Sequence, residues 1–134
     1  MKLLHIAAVC LFDDAGRLLL VRKRNTHAFM LPGGKIEAEE TPLAALRREL
    51  YEELQLSLDE AALTPLGRFR APAANEADTE IDAQIYRARL PYPVSPAAEL
   101  EELRWHSLDA SATADLAPLL HLHVLPVLRH PTPA

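Results

Sequence analysis

Three glutamates in this sequence, Glu49, Glu52 and Glu53, have the type and spacing to do chemistry together. Their spacing of i, i+3 and i+4 places the carboxylates on one side of a helix, where like charges repel by roughly a few tenths of a kcal/mol per pair. We therefore expect a cation among them. Carboxylate oxygens suit Mg²⁺, which neutralises phosphate oxygens and activates water. Taken alone, such a cluster is more often a solvated helix face.

The helix that carries these glutamates is predicted to begin at Pro42. Thr41 before it is a good N-cap residue, and proline suits the first helical position because its missing N–H has no intrahelical partner there. An apolar stripe at helical spacing follows another side of this helix: Leu43, Leu46, Leu50 and Leu54. We expect the stripe to pack on the core and the carboxylates to face solvent.

A longer pattern surrounds the glutamates. It reads Gly34, five residues, Glu40, seven residues, and then residues 48–56, RELYEELQL. This pattern resembles the Nudix box, the signature of the Nudix (MutT-type) hydrolases. One position departs, because the family's glycine near the end of the box is Gln55 here. A non-glycine adopts the left-handed conformation required there at about 1 kcal/mol, which implies a small stability cost and intact chemistry.

The resemblance implies an α/β fold, the Nudix-type α/β/α sandwich with a mixed β-sheet between helices. It also implies hydrolysis of a pyrophosphate bond that depends on Mg²⁺, with Mn²⁺ as an alternative. The matching positions are metal ligands in the family, which assigns this role to Glu49, Glu52 and Glu53, and one box glutamate is proposed to help deprotonate the water. The Gly33 carbonyl is a candidate neutral ligand.

Two further box positions look structural in the family. The resemblance implies an ion pair between Arg48 and Glu40 that fixes the loop against the helix and aims the glutamates. Such orienting contacts matter about tenfold or more in metal sites, so Arg48 is grouped with the catalytic residues. Gly34 belongs to the box as well, and glycines at this point let the backbone approach a ligand closely.

A carboxylate from outside the box usually completes the family's metal site. Glu99, just before the last predicted strand, is the first candidate, and Glu76 and Glu80 are alternatives. For each of the three, an ordinary surface glutamate is also an open interpretation.

Candidate substrate-binding residues lie near the end of the second predicted strand. Three successive cations, Arg22, Lys23 and Arg24, predict either a rim for phosphate oxygens or an ordinary solvated strand end. Phe29 in the following loop is a candidate to stack on a nucleobase or to cover the core.

The identity of the substrate is not specified by the box. We expect a small nucleotide, first a nucleoside triphosphate that yields the monophosphate and pyrophosphate. ADP-ribose or a nucleotide sugar comes second, since Pro72 lies near a proline position that marks the ADP-ribose-cleaving members. A Nudix-fold module that binds nucleotides without catalysis is a further alternative. Such a module is expected to have lost box glutamates, and all of them are present here.

Length and composition bound the remaining possibilities. The 134 residues predict one domain, residues 1–134, and the net charge of −5 argues against a nucleic-acid polymer as partner. The lone Cys10 favours a reducing compartment and sits in an apolar run as an inert core residue. That run is too short to span a bilayer, so we expect a cytoplasmic protein with no membrane partner. Whether it forms a homodimer is left open.

The remaining elements follow from hydrophobic patterning. Residues 3–12 form an apolar run typical of a central strand covered on both faces, and a turn at residues 13–16 predicts a hairpin or near neighbour. Further strands are expected at residues 17–22, 35–37, 64–71, 79–90 and 103–108. Residues 112–129 predict a second helix started or bent by Pro118 and Pro126, and residues 131–134 a frayed tail.

Overall fold

The protein is described by a computed structural model over residues 1–129; the tail at residues 131–134 lies outside the described residues. Its helical elements are α1 (Pro42–Leu54), a 3₁₀ turn (Glu60–Ala62), a π-helical turn (Leu120–Val124) and α2 (Leu125–Arg129). Its strands are β1 (Lys2–Phe12), β2 (Leu18–Lys23), β3 (Gly33–Lys35), β4 (Thr64–Pro72), β5 (Thr79–Arg89) and β6 (Leu100–His106).

The strands form one mixed sheet around β1. β5 runs parallel to β1 over its whole length, from Lys2↔Thr79 to Phe12↔Arg89. The main strand order is β4-β5-β1-β2-β6, and β3 pairs antiparallel with β1 outside this order. The expected coverage of β1 on both faces holds for residues 7–11, which are buried, but not for the start of the strand, where Leu3 and His5 are exposed.

Two apolar cores lie on opposite faces of the sheet. One contains the buried leucines of α1 together with alternate residues of β1 and β2, such as Val9 and Leu19. The other contains Leu120 and Leu125 of the C-terminal helical segment against Cys10 and Leu20. The predicted α/β/α sandwich with a mixed sheet is therefore confirmed.

The predicted hairpin between β1 and β2 is paired at one position only, Phe12↔Leu18. β3 lies against the other half of this edge of β1, so β2 turns to β6 and pairs with it from Leu18↔His106 onward. The acidic run before the last predicted strand belongs to β6, because Arg22↔Glu102 and Lys23↔Leu100 are partners across the two strands.

The C-terminal helical segment begins at Pro118, six residues later than expected. Proline at the start of a helix costs no hydrogen bond, whereas Pro126 cannot donate to the carbonyl four residues before it and its ring crowds that carbonyl. The backbone widens into the π-helical turn directly before Pro126, with the Leu125 N–H bonded to the Leu120 carbonyl. None of the helices in residues 1–129 has the length and apolarity that a membrane crossing requires.

Candidate active site

A glycine pair at the start of β3 lies directly against the backbone of β1. Gly33 has a φ of 146°, and a Cβ atom there would lie 2.2 Å from the Ala7 carbonyl oxygen. A Cβ on Gly34 would lie 2.4 Å from Cδ of Glu49. The contact at Gly33 is with fixed backbone, so that position requires glycine, whereas a side chain at Gly34 would displace the Glu49 carboxylate from β3.

The helix α1 that holds the carboxylates is capped at both ends. The Thr41 hydroxyl accepts a hydrogen bond from the Ala44 N–H at 3.1 Å, as the sequence predicts. At the other end Gln55 has a φ of 51° and a ψ of 35°, which is the left-handed conformation expected at this position from the sequence. The Leu56 N–H then bonds to the Leu50 carbonyl at 3.2 Å.

Arg48 is the cation that lies among the glutamates. Its guanidinium donates to both carboxylate oxygens of Glu40, at 2.8 and 2.9 Å, and to Glu49 at 2.8 Å. It also donates to the Lys35 carbonyl and lies 3.7 Å from the Glu52 carboxylate. One side chain thus joins the loop before α1, the strand β3 and the acidic face of the helix.

In the pair formed by Arg48 and Glu40, each group stabilises the charged form of the other. The hydrogen bonds from Arg48 hold the pKa of Glu40 down at about 2, helped by the Glu37 N–H, which donates to the same carboxylate. In return, the hydrogen bonds to Glu40 raise the pKa of Arg48 above its usual value. Both groups stay charged at neutral pH, so the link between loop and helix persists.

Glu53 is the most buried of the three glutamates, with 5% of its surface exposed, contrary to the solvent-facing position expected from the sequence. One of its oxygens accepts the Gly33 N–H at 3.2 Å. Burial raises the pKa of Glu53 to about 8; the Gly33 N–H opposes this, and the negative charge of Glu49 adds to it. The Glu53 side chain is buried because it points from α1 toward β3, where the glycine residues have no side chains that would block it.

The other two glutamates are progressively more open. Burial raises the pKa of Glu49, and its contact with Arg48 opposes that shift. Glu52 is 51% exposed. Carboxylates and nearby backbone carbonyls are hard oxygen donors, and a buried carboxylate with one N–H donor beside like charges is stabilised by a cation. This donor set fits Mg²⁺, although within residues 1–129 no three acidic, His or Cys side chains converge closely enough to hold a metal ion.

The three consecutive cations have different surroundings. Arg22 donates to Glu102 at 3.0 Å and to the Thr26 carbonyl at 2.8 Å. Arg24 lies 3.6 Å from Glu101, so both arginines pair with the acidic run of β6. Lys23 lies 3.8 Å from Glu99, the residue before β6. Its positive charge also opposes the rise that burial causes in the pKa values of Glu49 and Glu53.

Phe29 lies in the core and is 2% exposed. The Arg104 guanidinium lies 3.7 Å from its ring centroid, and the Arg22 guanidinium lies 6.0 Å away. Its backbone bridges to the segment before the C-terminal helix through a 2.8 Å bond from the Ala117 N–H. Of the two interpretations of Phe29, its position agrees with core packing.

The three candidates for an outer carboxylate lie in three different places. Glu99 is exposed, lies 3.8 Å from the Lys23 ammonium, and is near enough to Glu53 for its charge to raise the pKa of that residue. The Glu80 carboxylate is already paired, because it accepts a hydrogen bond from the Arg70 guanidinium at 2.9 Å. Glu76 lines a cleft on the opposite face of the sheet from α1.

That cleft has a volume of about 360 Å³ and reaches the glycine pair from the other side. Lys23, Thr26 and the loop at residues 72–76 form its rim. Its apolar lining comes from four separate parts of the chain: Leu4, Ile6, Met30, Leu31, Ile81, Leu119 and Leu120. Sequence reasoning missed these residues, because each looks like ordinary core and only the sheet order brings them together. A wider depression of about 850 Å³ at the far end of the sheet lies away from the carboxylates of α1.

The NUDIX domain family model matches residues 1–127 of this chain. Among curated proteins, "Putative 8-oxo-dGTP diphosphatase 2" of Mycobacterium tuberculosis is 38% identical over 101 residues, which cover 68% of this chain and 70% of that protein. An RNA pyrophosphohydrolase of Halorhodospira halophila is 45% identical over 51 residues, 38% of this chain and 28% of that protein. The chain therefore matches less than a third of the length of that relative.

Among solved structures, a MutT NUDIX hydrolase from Burkholderia pseudomallei superimposes with a TM-score of 0.71 and 25% sequence identity. The superposition covers 98% of this chain and 100% of that one. The similarity thus extends over the whole sandwich and beyond the region of the box.

Proposed function

This chain belongs to the NUDIX family, and on that premise we propose that it hydrolyses a phosphate–phosphate bond in a small nucleotide. A nucleoside triphosphate is the first candidate, cleaved to the monophosphate and pyrophosphate. A cytoplasmic location and a substrate that is not a nucleic-acid polymer complete the proposal.

One observation carries it: the glycine pair is shared by the carboxylates and the cleft. On one face of β3 the Gly33 N–H bonds to Glu53 and Gly34 packs on Glu49. On the other face, both glycines line the cleft. A nucleoside held in the cleft would therefore have its phosphates next to the glycine pair, which adjoins the acidic face of α1.

The residues divide the work of such a reaction. Glu49, Glu52, Glu53 and the Gly33 carbonyl would hold Mg²⁺, with Glu99 as the outer carboxylate, and the bound ion would neutralise phosphate oxygens and lower the pKa of water. Arg48 keeps Glu49 in place through its link to Glu40. Lys23 supplies a positive charge at the same end of the cleft. A carboxylate of α1 accepts the proton of the attacking water.

The names of the relatives differ in substrate, so they do not choose among nucleotides. ADP-ribose or a nucleotide sugar is the second candidate, supported by the position of Pro72 in the lining of the cleft. A module that binds nucleotides without catalysis is disfavoured because the acidic face of α1 is complete.

A substrate panel tests the proposal. Purified protein would be incubated with Mg²⁺ and, separately, with each canonical or oxidised nucleoside triphosphate, ADP-ribose, nucleotide sugars, dinucleoside polyphosphates and a 5′-triphosphorylated RNA. Release of phosphate and pyrophosphate would be scored for the wild type and for Glu52→Gln. We expect turnover of a nucleoside triphosphate that Glu52→Gln reduces strongly. Turnover of none of these compounds, turnover of the RNA alone, or equal turnover by the variant contradicts the proposal.

A further inference from the structure

We propose that Glu76, assisted by Asn75, selects the base of the nucleotide and favours guanine-type bases, which present two N–H donors on one edge. The inference rests on the proposed function, because it concerns the same cleft. It adds a specificity-determining residue at the end of the cleft away from the phosphates.

The sheet order separates the two ends of the cleft. The strands beneath it follow the order β4, β5, β1 and β3. Glu76 lies in the loop between β4 and β5, whereas Gly33, Gly34 and Lys35 lie in β3 on the other side of β1. Along β1, Gly33 pairs with Ala8 whereas the β4–β5 loop adjoins Lys2, so six residues of the strand separate the two ends. At about 3.3 Å per residue the ends are on the order of 20 Å apart, which leaves room for a nucleoside with its phosphates extended.

Charge gives the cleft a direction. Lys23 and Lys35 line it near the glycine pair, and Glu76 is the one acidic residue of its lining within the described part of the chain. Phosphate oxygens are attracted to the lysine end and repelled by the carboxylate. A nucleotide therefore binds with its phosphates toward β3 and its base toward the loop at residues 72–76.

The walls between these ends suit the faces of an aromatic base. Ile6 and Ile81 rise from the sheet, and Leu119 and Leu120 face them from the C-terminal helical segment. Such walls bind any base equally well, because every base has an apolar face. Discrimination has to come from polar groups at the edge, where Thr26, Asn75 and Glu76 lie.

A carboxylate accepts hydrogen bonds and donates none when ionised. Guanine offers it N1–H and the 2-amino group side by side, whereas adenine and cytosine offer one amino group next to a ring acceptor, and thymine offers one N–H between two carbonyls. The amide of Asn75 completes the match, since it donates to the guanine carbonyl. Glu76 is exposed and has no cationic partner within residues 1–129, in contrast to Glu80, which Arg70 holds.

The test compares nucleotides that differ by one donor. dGTP and dITP are identical except for the 2-amino group, so their ratio of kcat/KM isolates one of the two proposed hydrogen bonds. We expect the wild type to prefer dGTP over dITP by on the order of tenfold, and over dATP and dCTP by more. Glu76→Ala should bring the dGTP to dITP ratio close to one, and Glu80→Gln, the matched control outside the cleft, should leave it unchanged.

A second measurement needs neither metal nor turnover. Calorimetric titration of the wild type and Glu76→Ala with dGMP and dIMP in EDTA should show the same loss of preference in the variant. Triphosphate hydrolysis without a dGTP preference, or a preference that survives in Glu76→Ala, overturns this inference and leaves the proposed function standing. Discrimination in binding without hydrolysis of any compound of the substrate panel overturns the proposed function alone.

Discussion

At the scale of single residues, Glu53 combines two opposing demands. Its burial favours the protonated form and raises its pKa to about 8. The proposed role of Glu53 as a metal ligand requires the ionised form, and a bound cation would lower the pKa of this carboxylate. The fold therefore places a group here that is unfavourable in the metal-free protein, as is common at functional sites.

Glu53→Gln should remove this cost together with the chemistry. An acid whose pKa is raised in the folded state makes the protein less stable as the pH rises from its unfolded pKa, near 4.5, to about 8. In EDTA, we expect the wild type to lose thermal stability over this range relative to Glu53→Gln. Activity with Mg²⁺ should fall at least a hundredfold, as for loss of a metal ligand.

The melting temperatures of both proteins at pH 5 and pH 8.5 measure the difference. Glu60→Gln, on the exposed 3₁₀ turn, serves as the matched control and should follow the wild type. A melting temperature for Glu53→Gln that tracks the wild type at both pH values would contradict the burial argument, and retained activity would contradict the ligand assignment.

At the scale of elements, α1 is a short rigid support that is fixed at three points. Thr41 caps its start, Gln55 ends it in a left-handed turn, and Arg48 ties its middle to the preceding loop. The apolar stripe presses it onto the sheet, with Leu46 and Leu50 fully buried. These constraints fix the orientation of the helix and therefore the direction of its glutamate side chains.

Arg48→Lys tests the middle constraint. A lysine ammonium cannot reproduce the planar fork that reaches Glu40, Glu49 and the Lys35 carbonyl together. We expect kcat to fall by about tenfold or more with a smaller change in KM, because the ligands lose their orientation. Steady-state kinetics on the preferred substrate measure this. Arg47→Lys is the control, since Arg47 bonds to the Leu58 carbonyl instead and should retain activity.

Gln55→Gly tests the end of the helix. Glycine adopts a φ of 51° without the steric cost that a Cβ imposes. The free energy of unfolding of the variant should therefore be about 1 kcal/mol larger than that of the wild type. Urea unfolding would show this as a higher midpoint at an unchanged slope, with kcat unaltered. Gln55→Ala keeps the Cβ and should show no such gain; equal midpoints for glycine and alanine would refute the strain.

At the scale of the whole molecule, the sheet separates two tasks. One face carries α1 and its carboxylates, and the other carries the cleft under the C-terminal helical segment. The glycine pair of β3 adjoins both, since it lines the cleft and contacts the carboxylates of Glu49 and Glu53. The central strand β1 supports both sides, so its apolar residues belong to both cores.

Cys10 reports on the integrity of this arrangement. It lies fully buried in β1, and burial raises the pKa of its thiol to about 12. We expect no reaction with a thiol reagent in the native protein at pH 8, and stoichiometric reaction in denaturant at the rate of global unfolding. Absorbance of the released reagent follows the reaction. Rapid labelling of the native protein would contradict the burial of β1.

The sequence by itself determined the features that depend on neighbours along the chain. Capping at Thr41 and Pro42, the leucine stripe, the box spacing and the left-handed position at Gln55 are local, because backbone geometry links residues a few positions apart. The family resemblance supplied the sandwich and the mixed sheet that the patterning alone left undecided.

Only the tertiary structure decided the features that depend on contacts between distant segments. The burial of Glu53 follows from β3 crossing beneath α1. The acidic partners of Arg22, Lys23 and Arg24 follow from the pairing of β6 with β2. The cleft combines residues of β1 and β5 with the helical segment more than a hundred positions after Leu4. Burial and charge pairing are set by three-dimensional proximity, which the order of residues does not display.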